Sequence, residues 1–302
     1  MSNVFKKEYK QSVFFSHYPY KFELILKKSI NIFYPMNHKA ILSTLGIISI
    51  ILLNSCSRVP ITGRGQMKLL PNATMLSMSY TSYDEFLKTN KISNQAEGTR
   101  QVKQAGERIQ GAVEKYMKEH GFGKKLEGFK WEFNLVEDPT VNAWCMPGGK
   151  VVFYTGILPI CKDEAGIAVV MGHEVAHAIA NHGNERMSQG LAAQMGEMGL
   201  SLALQNKPAE TQALFLGAYG AASQVGALLP FSRLHESEAD HMGLIFMAMA
   251  GYDPRTAPDF WKRMASLGGA KPPQLLSTHP SDETRIKNLE SHMEEALRYY
   301  SK

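Results

Sequence analysis

The chain has 302 residues, 44% of them hydrophobic, with no internal repeat or low-complexity segment, so it can bury a full core in one domain. Its formal net charge of +5 belongs to one end: residues 1–55 hold seven lysines and two glutamates, and the other 247 residues balance 26 basic groups against 26 acidic ones. That balance excludes the basic field that nucleic acid requires, and no nucleic-acid partner is expected.

Residues 1–35 are rich in Lys, Tyr and Phe without a clear pattern and are read as a superfluous upstream extension, with translation starting at Met36. Met36-Asn37-His38-Lys39 is a short basic start, and the run from Ala40 to Leu53 is uncharged and apolar. That run falls short of the ~20 residues a spanning helix needs. Followed by Leu53-Asn54-Ser55-Cys56, the segment 36–55 resembles a bacterial lipoprotein signal peptide. The resemblance implies cleavage before Cys56, lipidation of that cysteine, a membrane partner through the lipid anchor, and a periplasm-facing location in the bacterial cell envelope. Ser57 after the cysteine suggests the outer membrane. Residues 56–75, with Pro60, Gly63 and Gly65, are expected to form a lipidated tether, and residues 76–302 the folded domain.

Helices are predicted from Ser79 to Asn90 and from Asn94 to His120, the second with Val102, Ala105, Ile109, Val113 and Met117 at helical spacing. Trp131 to Val136 and Val141 to Tyr154 supply a small sheet, with Pro147-Gly148-Gly149 as a turn signal inside the second segment. An exposed edge at Asn142, Ala143 and Trp144 could receive a peptide as an added strand; a core strand without substrate contact is the alternative. Cys145 and Cys161 lack Cys-x-x-Cys spacing, which argues against zinc ligation, and both a disulfide and two buried thiols remain open.

From Asp163 onward the pattern is almost entirely helical. Asp163-Glu164 place acids where a helix N-terminus prefers them, and an apolar run leads into His173-Glu174-Val175-Ala176-His177. At 3.6 residues per turn, His173 and His177 return to one face about 6 Å apart along the axis, so both can reach one ion. Glu174 lies beside that ion's place, where a general base can meet a water without consuming a coordination site. Asn181-His182-Gly183 reads as a helix stop, and His182, nine residues from His173, is expected on the opposite side as a solvated helix-end histidine. The metzincin spacing for a third histidine fails, because Ala180 and Gly183 stand where glycine and histidine are required.

The stretch from Gly190 to Leu229 is rich in Gly, Ala, Leu and Met, and Ala213 to Phe231 lacks charge. Its small residues, with Ser223 and Gln224, fit tight packing between helices beneath the site better than membrane insertion. Helical spacing in Leu229-Pro230-Phe231-Ser232-Arg233-Leu234-His235-Glu236-Ser237-Glu238-Ala239-Asp240 puts Glu236 and Asp240 on one face, with Glu238 pointing away. One carboxylate of the pair can bind the ion while the other orients a ligand histidine, although spacing alone does not exclude Glu238 with His241.

These motifs, with Asn142-Ala143-Trp144-Cys145-Met146-Pro147-Gly148-Gly149-Lys150 before them and Ser277-Thr278-His279-Pro280 running on to Arg285 after them, resemble the HtpX-, BepA- and LoiP-type zinc peptidases of metallopeptidase family forty-eight, lipoprotein branch. The resemblance implies a mostly helical α+β fold of the zincin, gluzincin type, with a small β-sheet beside the metal helix. It implies one Zn2+ per chain, held by His173, His177 and Glu236, with Asp240 supporting the ligands. Glu174 is then the catalytic base, and Asn142, Ala143 and Trp144 the substrate strand. His279 is expected to approach the zinc and occupy the place of the catalytic water, leaving the enzyme latent until its loop moves; a surface-turn histidine and an oxyanion-stabilising role are the other readings. Arg285 is expected to pair with a carboxylate near the site. The implied function is a zinc metalloendopeptidase acting on unfolded or misassembled envelope proteins, with a zinc-stabilised, non-catalytic envelope chaperone or assembly factor as the alternative; no oligomeric state is assigned.

Overall fold

A computed structural model describes residues 56–224, 228–267, 274–279 and 283–300, so the expected extension 1–35 and signal segment 36–55 lie outside the described residues. Cys56–Arg58 (β1) and Gly65–Met67 (β2) pair antiparallel, Cys56 opposite Met67. This hairpin is folded onto the domain: Val59 is fully buried in the core, and the buried Gln66 side chain donates to the Ala180 carbonyl at 2.6 Å. Residues 56–67 are therefore not the free tether expected. One apolar anchor and the hydrogen bond from Gln66 Nε2 to Ala180 outweigh the turn-rich composition between them.

Asn72–Thr89 (α1) begins seven residues before the predicted start, because Met75 continues the buried i, i+4 line of Ser79 and Tyr83 back to Pro71, which sits at the helix entrance. Ala96–Glu119 (α2) buries Val102, Ala105, Ile109, Val113 and Met117, as its spacing implied. The three-stranded sheet has the order Glu132–Val136 (β3), Lys150–Tyr154 (β5), Ala143–Met146 (β4); β3 runs parallel to β5 and β4 antiparallel to it. The single segment expected from 141 to 154 is thus two strands, folded back where Gly148 and Gly149 take φ of 90° and 82°. Val151 and Phe153 face the main core, and Val152 packs with Tyr83, Val136 and Met146 on the other side, so the central strand is buried on both faces.

Leu158–Cys161 (α3) leads to Glu164–Ile179 (α4), which Asp163 caps by accepting the Gly166 N–H at 2.8 Å. α4 is buried almost all round and crosses Leu229–Met249 (α7) at very short range. A Cβ on Gly172 would stand 2.9 Å from the Gly243 carbonyl oxygen, and one on Gly243 would stand 3.0 Å from the His173 nitrogen. Two glycines face to face bring the histidines of α4 against the carboxylates of α7.

Asn181, in the left-handed conformation at φ 57°, ends α4, and His182–Leu204 (α5) starts immediately. Ala209–Ser223 (α6) packs back along α5 after the break at Pro208. The expectation that this stretch packs tightly beneath the site is corrected: α6 has no buried residue, Leu214 and Phe215 are 70% and 52% exposed, and Met195, Met198 and Leu202 of α5 are exposed too. Its small residues leave α6 little to bury except against α5, where Tyr219 donates to the Ala193 carbonyl at 3.1 Å. Among the described residues, no helix is long and apolar enough to cross a membrane. Thr256–Ser266 (α8), Gln274–Thr278 (α9) and Glu283–Tyr299 (α10) complete the fold, α10 packing along α7 through Leu289 and Ala296. Cys145 and Cys161 are both free thiols.

Candidate active site

His173 and His177 leave α4 on one face, Glu236 reaches them from α7, and His279 closes over them from the end of α9. One ligand atom from each of these four residues lies within 4.8 Å of all the others. His177 Nε2 is 3.1 Å from His173 Nε2 and 3.3 Å from Glu236 Oε1. His279 Nδ1 stands 3.1 Å from His173 Nε2 and 2.9 Å from Glu236 Oε2. The Glu174 side chain is buried one residue along from His173; its Oε1 has no hydrogen-bond partner among the described residues, with His279 Nε2 3.5 Å away.

Behind this front, His173 Nδ1 meets Asp240 Oδ1 at 2.9 Å, and Arg285 Nη2 donates to the same oxygen at 2.6 Å. Arg285 Cζ lies over the Trp261 ring, 3.3 Å from its centroid, and Arg285 Nη1 donates to the His279 carbonyl at 3.2 Å. The carboxylate that the sequence left unnamed for Arg285 is thus Asp240, with Glu236 farther off at 3.6 Å. An imidazole that donates Nδ1–H to Asp240 keeps its Nε2 lone pair on the open side.

The residues fit a divalent cation. His173 Nε2 and His177 Nε2 face each other at 3.1 Å, a contact between lone pairs unless a proton or a cation lies between them. Burial and the Arg285 charge oppose protonation of His173, yet the Asp240 and Glu236 carboxylates outweigh them and raise it to about 9. Burial holds His177 well below the ordinary imidazole range, which keeps it in the neutral form that ligates. Burial works against ionising Glu236, but the neighbouring His279 and His177 hold its carboxyl well below the usual carboxylate range. Burial pushes the Glu174 carboxyl up from its ordinary value, the direction that suits a proton carrier at neutral pH.

His182 differs most from its sequence reading. It is 1% exposed rather than solvated, because the turn at Asn181 redirects the chain and swings His182 back toward α4. Its Nδ1 lies 2.8 Å from His177 Nδ1, and its Nε2 lies 2.9 Å from Glu238 Oε2. Glu238, on the other side of α7 from Glu236, serves this second histidine, whereas His241 pairs with Glu295 at 2.7 Å. The missed signal was the helix stop itself, which makes a single helical wheel invalid beyond residue 180.

Asn142, Ala143 and Trp144 lie at the start of β4, which is an edge strand of its sheet. Trp144 packs edge-on against Phe86, with ring centroids 4.9 Å apart. Cys145 of β4 lies within the field of Glu174: burial raises its thiol well above the ordinary value, and the charge of Glu174 raises it further.

Comparison with known proteins places this geometry. Residues 103–293 match the model of peptidase family M48. The chain is 42% identical over 194 residues to "Mitochondrial metalloendopeptidase OMA1" of Arabidopsis thaliana, covering 64% of this chain and 38% of that protein. It is 28% identical over 264 residues to "Metalloendopeptidase OMA1, mitochondrial" of Homo sapiens, covering 85% of this chain and 50% of that one. To the "Beta-barrel assembly-enhancing protease" of Yersinia pestis it is 29% identical over 164 residues, 52% of this chain and 33% of the relative. The chain spans half or less of the length of each of these relatives. The mitochondrial relatives overturn the bacterial, periplasm-facing, outer-membrane location expected from residues 36–56.

Proposed function

This chain belongs to peptidase family M48, and from that premise we propose that it is a zinc metalloendopeptidase that hydrolyses peptide bonds in unfolded or misassembled proteins. The observation that carries the reading is the meeting of three imidazoles and a carboxylate within 4.8 Å, beside a buried carboxylate oxygen that has no hydrogen bond among the described residues.

His173, His177 and Glu236 would hold the ion, with Asp240 and Arg285 fixing the ring of His173. Zinc supplies Lewis acidity, polarising the scissile carbonyl and making the attacking water more acidic. Glu174, raised by burial, takes the proton from that water at its carboxylate and delivers it to the leaving amine. β4 is an edge strand of its sheet, and an extended peptide added beside it would be positioned at Asn142, Ala143 and Trp144 with little demand on its sequence. That mode suits chains that have lost their fold.

His279 accounts for latency. With Nδ1 in contact with both His173 and Glu236, it stands among the proposed ligands, where an attacking water would otherwise sit. Withdrawal of His279 from these contacts opens the site. A second reading, a zinc-stabilised chaperone or assembly factor, draws on this same closed arrangement.

The test is cleavage of casein by the full chain loaded with zinc, beside Glu174→Gln with its metal content measured. Cleavage by the parent and a loss of about 100-fold or more in the variant, at equal metal content, are expected. Silence from both with metal bound would favour the chaperone reading, and equal cleavage by both would remove Glu174 from the chemistry.

A further inference from the structure

The metal site has two buried supports, and each ends in an arginine. The first is direct: His173 Nδ1 to Asp240 to Arg285. The second is longer and engages the other histidine of α4. His177 Nδ1 meets His182 Nδ1 at 2.8 Å, His182 Nε2 meets Glu238 Oε2 at 2.9 Å, and Arg64 Nη2 donates to that same oxygen at 2.7 Å. Thr62 donates to the other oxygen of Glu238. Arg64 also donates two bonds to Glu185, at 2.9 and 2.7 Å, and Glu185 in turn meets His235 Nε2 at 3.0 Å. His235 stacks on His182, with centroids 4.2 Å apart and planes at 14°. His182, Glu185, His235 and Glu238 are each 4% exposed or less.

Resting on the reading of His177 as a metal ligand, we propose that His182 and Glu238, fastened by Arg64 of the N-terminal hairpin, form a positioning relay that sets the tautomer and ring orientation of His177. The polarity of the chain is determined by its far end. A carboxylate only accepts, so His182 donates Nε2–H to Glu238 and presents an Nδ1 lone pair. That lone pair accepts Nδ1–H from His177. His177 Nε2 is left as a lone pair aimed at Glu236 and His173, as a metal ligand requires. The opposite polarity would put a proton on the ligating nitrogen. His182 thus acts through His177 and does not touch substrate, and residues 62 and 64, far from the site in sequence, become part of its support.

The experiment measures zinc dissociation constants by competition with a chromophoric chelator for the full chain, His182→Leu and His182→Gln. Gln keeps one acceptor and one donor along the same line; Leu keeps bulk alone. Leu is expected to weaken zinc about 10- to 100-fold, and Gln to restore most of the affinity. Zinc affinity unchanged in the Leu variant, or lost equally in both, would overturn the relay. Should Leu fail to fold, nitrogen-15 spectra of histidine-labelled, zinc-loaded parent decide it. The expected result is a proton on His177 Nδ1 and on His182 Nε2; the reverse tautomers would overturn it. A parent that binds no zinc would overturn the function reading and the relay with it, whereas a parent that binds while both variants match it would overturn the relay alone.

Discussion

At the scale of single residues, His279 is the group whose replacement separates mechanisms. Its imidazole touches Glu236 and His173 on one side and stands 3.5 Å from Glu174 on the other. If it blocks the site, a state closed nine times in ten costs about tenfold in apparent activity, so His279→Ala should raise casein cleavage several-fold at unchanged zinc content. A fall of 100-fold would instead make it a donor to the developing oxyanion, and unchanged cleavage would remove both roles. The residues of this site that are close in sequence are legible in the sequence itself: the spacing of His173, Glu174 and His177 is a property of one helical turn. Glu236 and Asp240 were legible as a shared face and their separate roles as what the family resemblance implies, whereas the pairing of Asp240 with Arg285 is visible only in the structure. His182 was not legible, because a left-handed residue at 181 changes the direction of everything after it, and no wheel drawn from His173 can include that turn.

At the scale of elements, α4 and α7 fix the distance across which His173 and His177 meet Glu236, and Gly172 and Gly243 fix α4 against α7. Gly172→Ala puts a methyl 2.9 Å from a backbone carbonyl that has no side-chain freedom to yield. Overpacking of this kind costs about 1–3 kcal/mol, against roughly 0.8–1 kcal/mol gained from helix propensity. A net loss of about 1 kcal/mol in urea unfolding is expected, accompanied by weaker zinc binding as Glu236 moves away from His173. Stability lost without any change in zinc affinity would mean that this crossing does not set the ligand distance. Elements with long periodic faces were readable, and α2 buries the five residues its spacing named. The β1–β2 hairpin was not readable. Strands of three residues carry no measurable alternation, and what holds them is pairing and burial against segments more than 100 residues away, Gln66 on Ala180 and Arg64 on Glu185 and Glu238. The location reading failed for a related reason: a basic start and a short apolar run are compositional signals common to several kinds of targeting segment.

At the scale of the whole molecule, Arg64 joins the start of the described chain to α5 and α7, and the acid sensitivity of the protein should report that connection. Burial alone would raise the Glu185 carboxyl; hydrogen bonds from Arg64 and His235 outweigh it and bring it down to about 2. A carboxylate lower in the folded than in the unfolded state stabilises the fold fully above its unfolded value, near 4.5. As pH falls from there toward 2, the unfolded chain takes up the proton first, and that share of stability is lost. Arg64→Met removes the cation from between two buried carboxylates while keeping a long apolar stem. At pH 7, unfolding of the metal-free variant in urea should show a loss of about 3 kcal/mol, toward the lower end for a buried pair because the Arg64 side chain keeps 18% of its surface exposed. Between pH 4.5 and 2 the variant should lose less further stability than the parent, since Glu185, left with His235 as its partner, has a smaller depression to give up. Parallel pH profiles for parent and variant would mean that the hairpin packs on the domain without governing its charge balance. A loss confined to neutral pH that also weakens zinc binding would tie the N-terminal hairpin to both the fold and the site through one guanidinium.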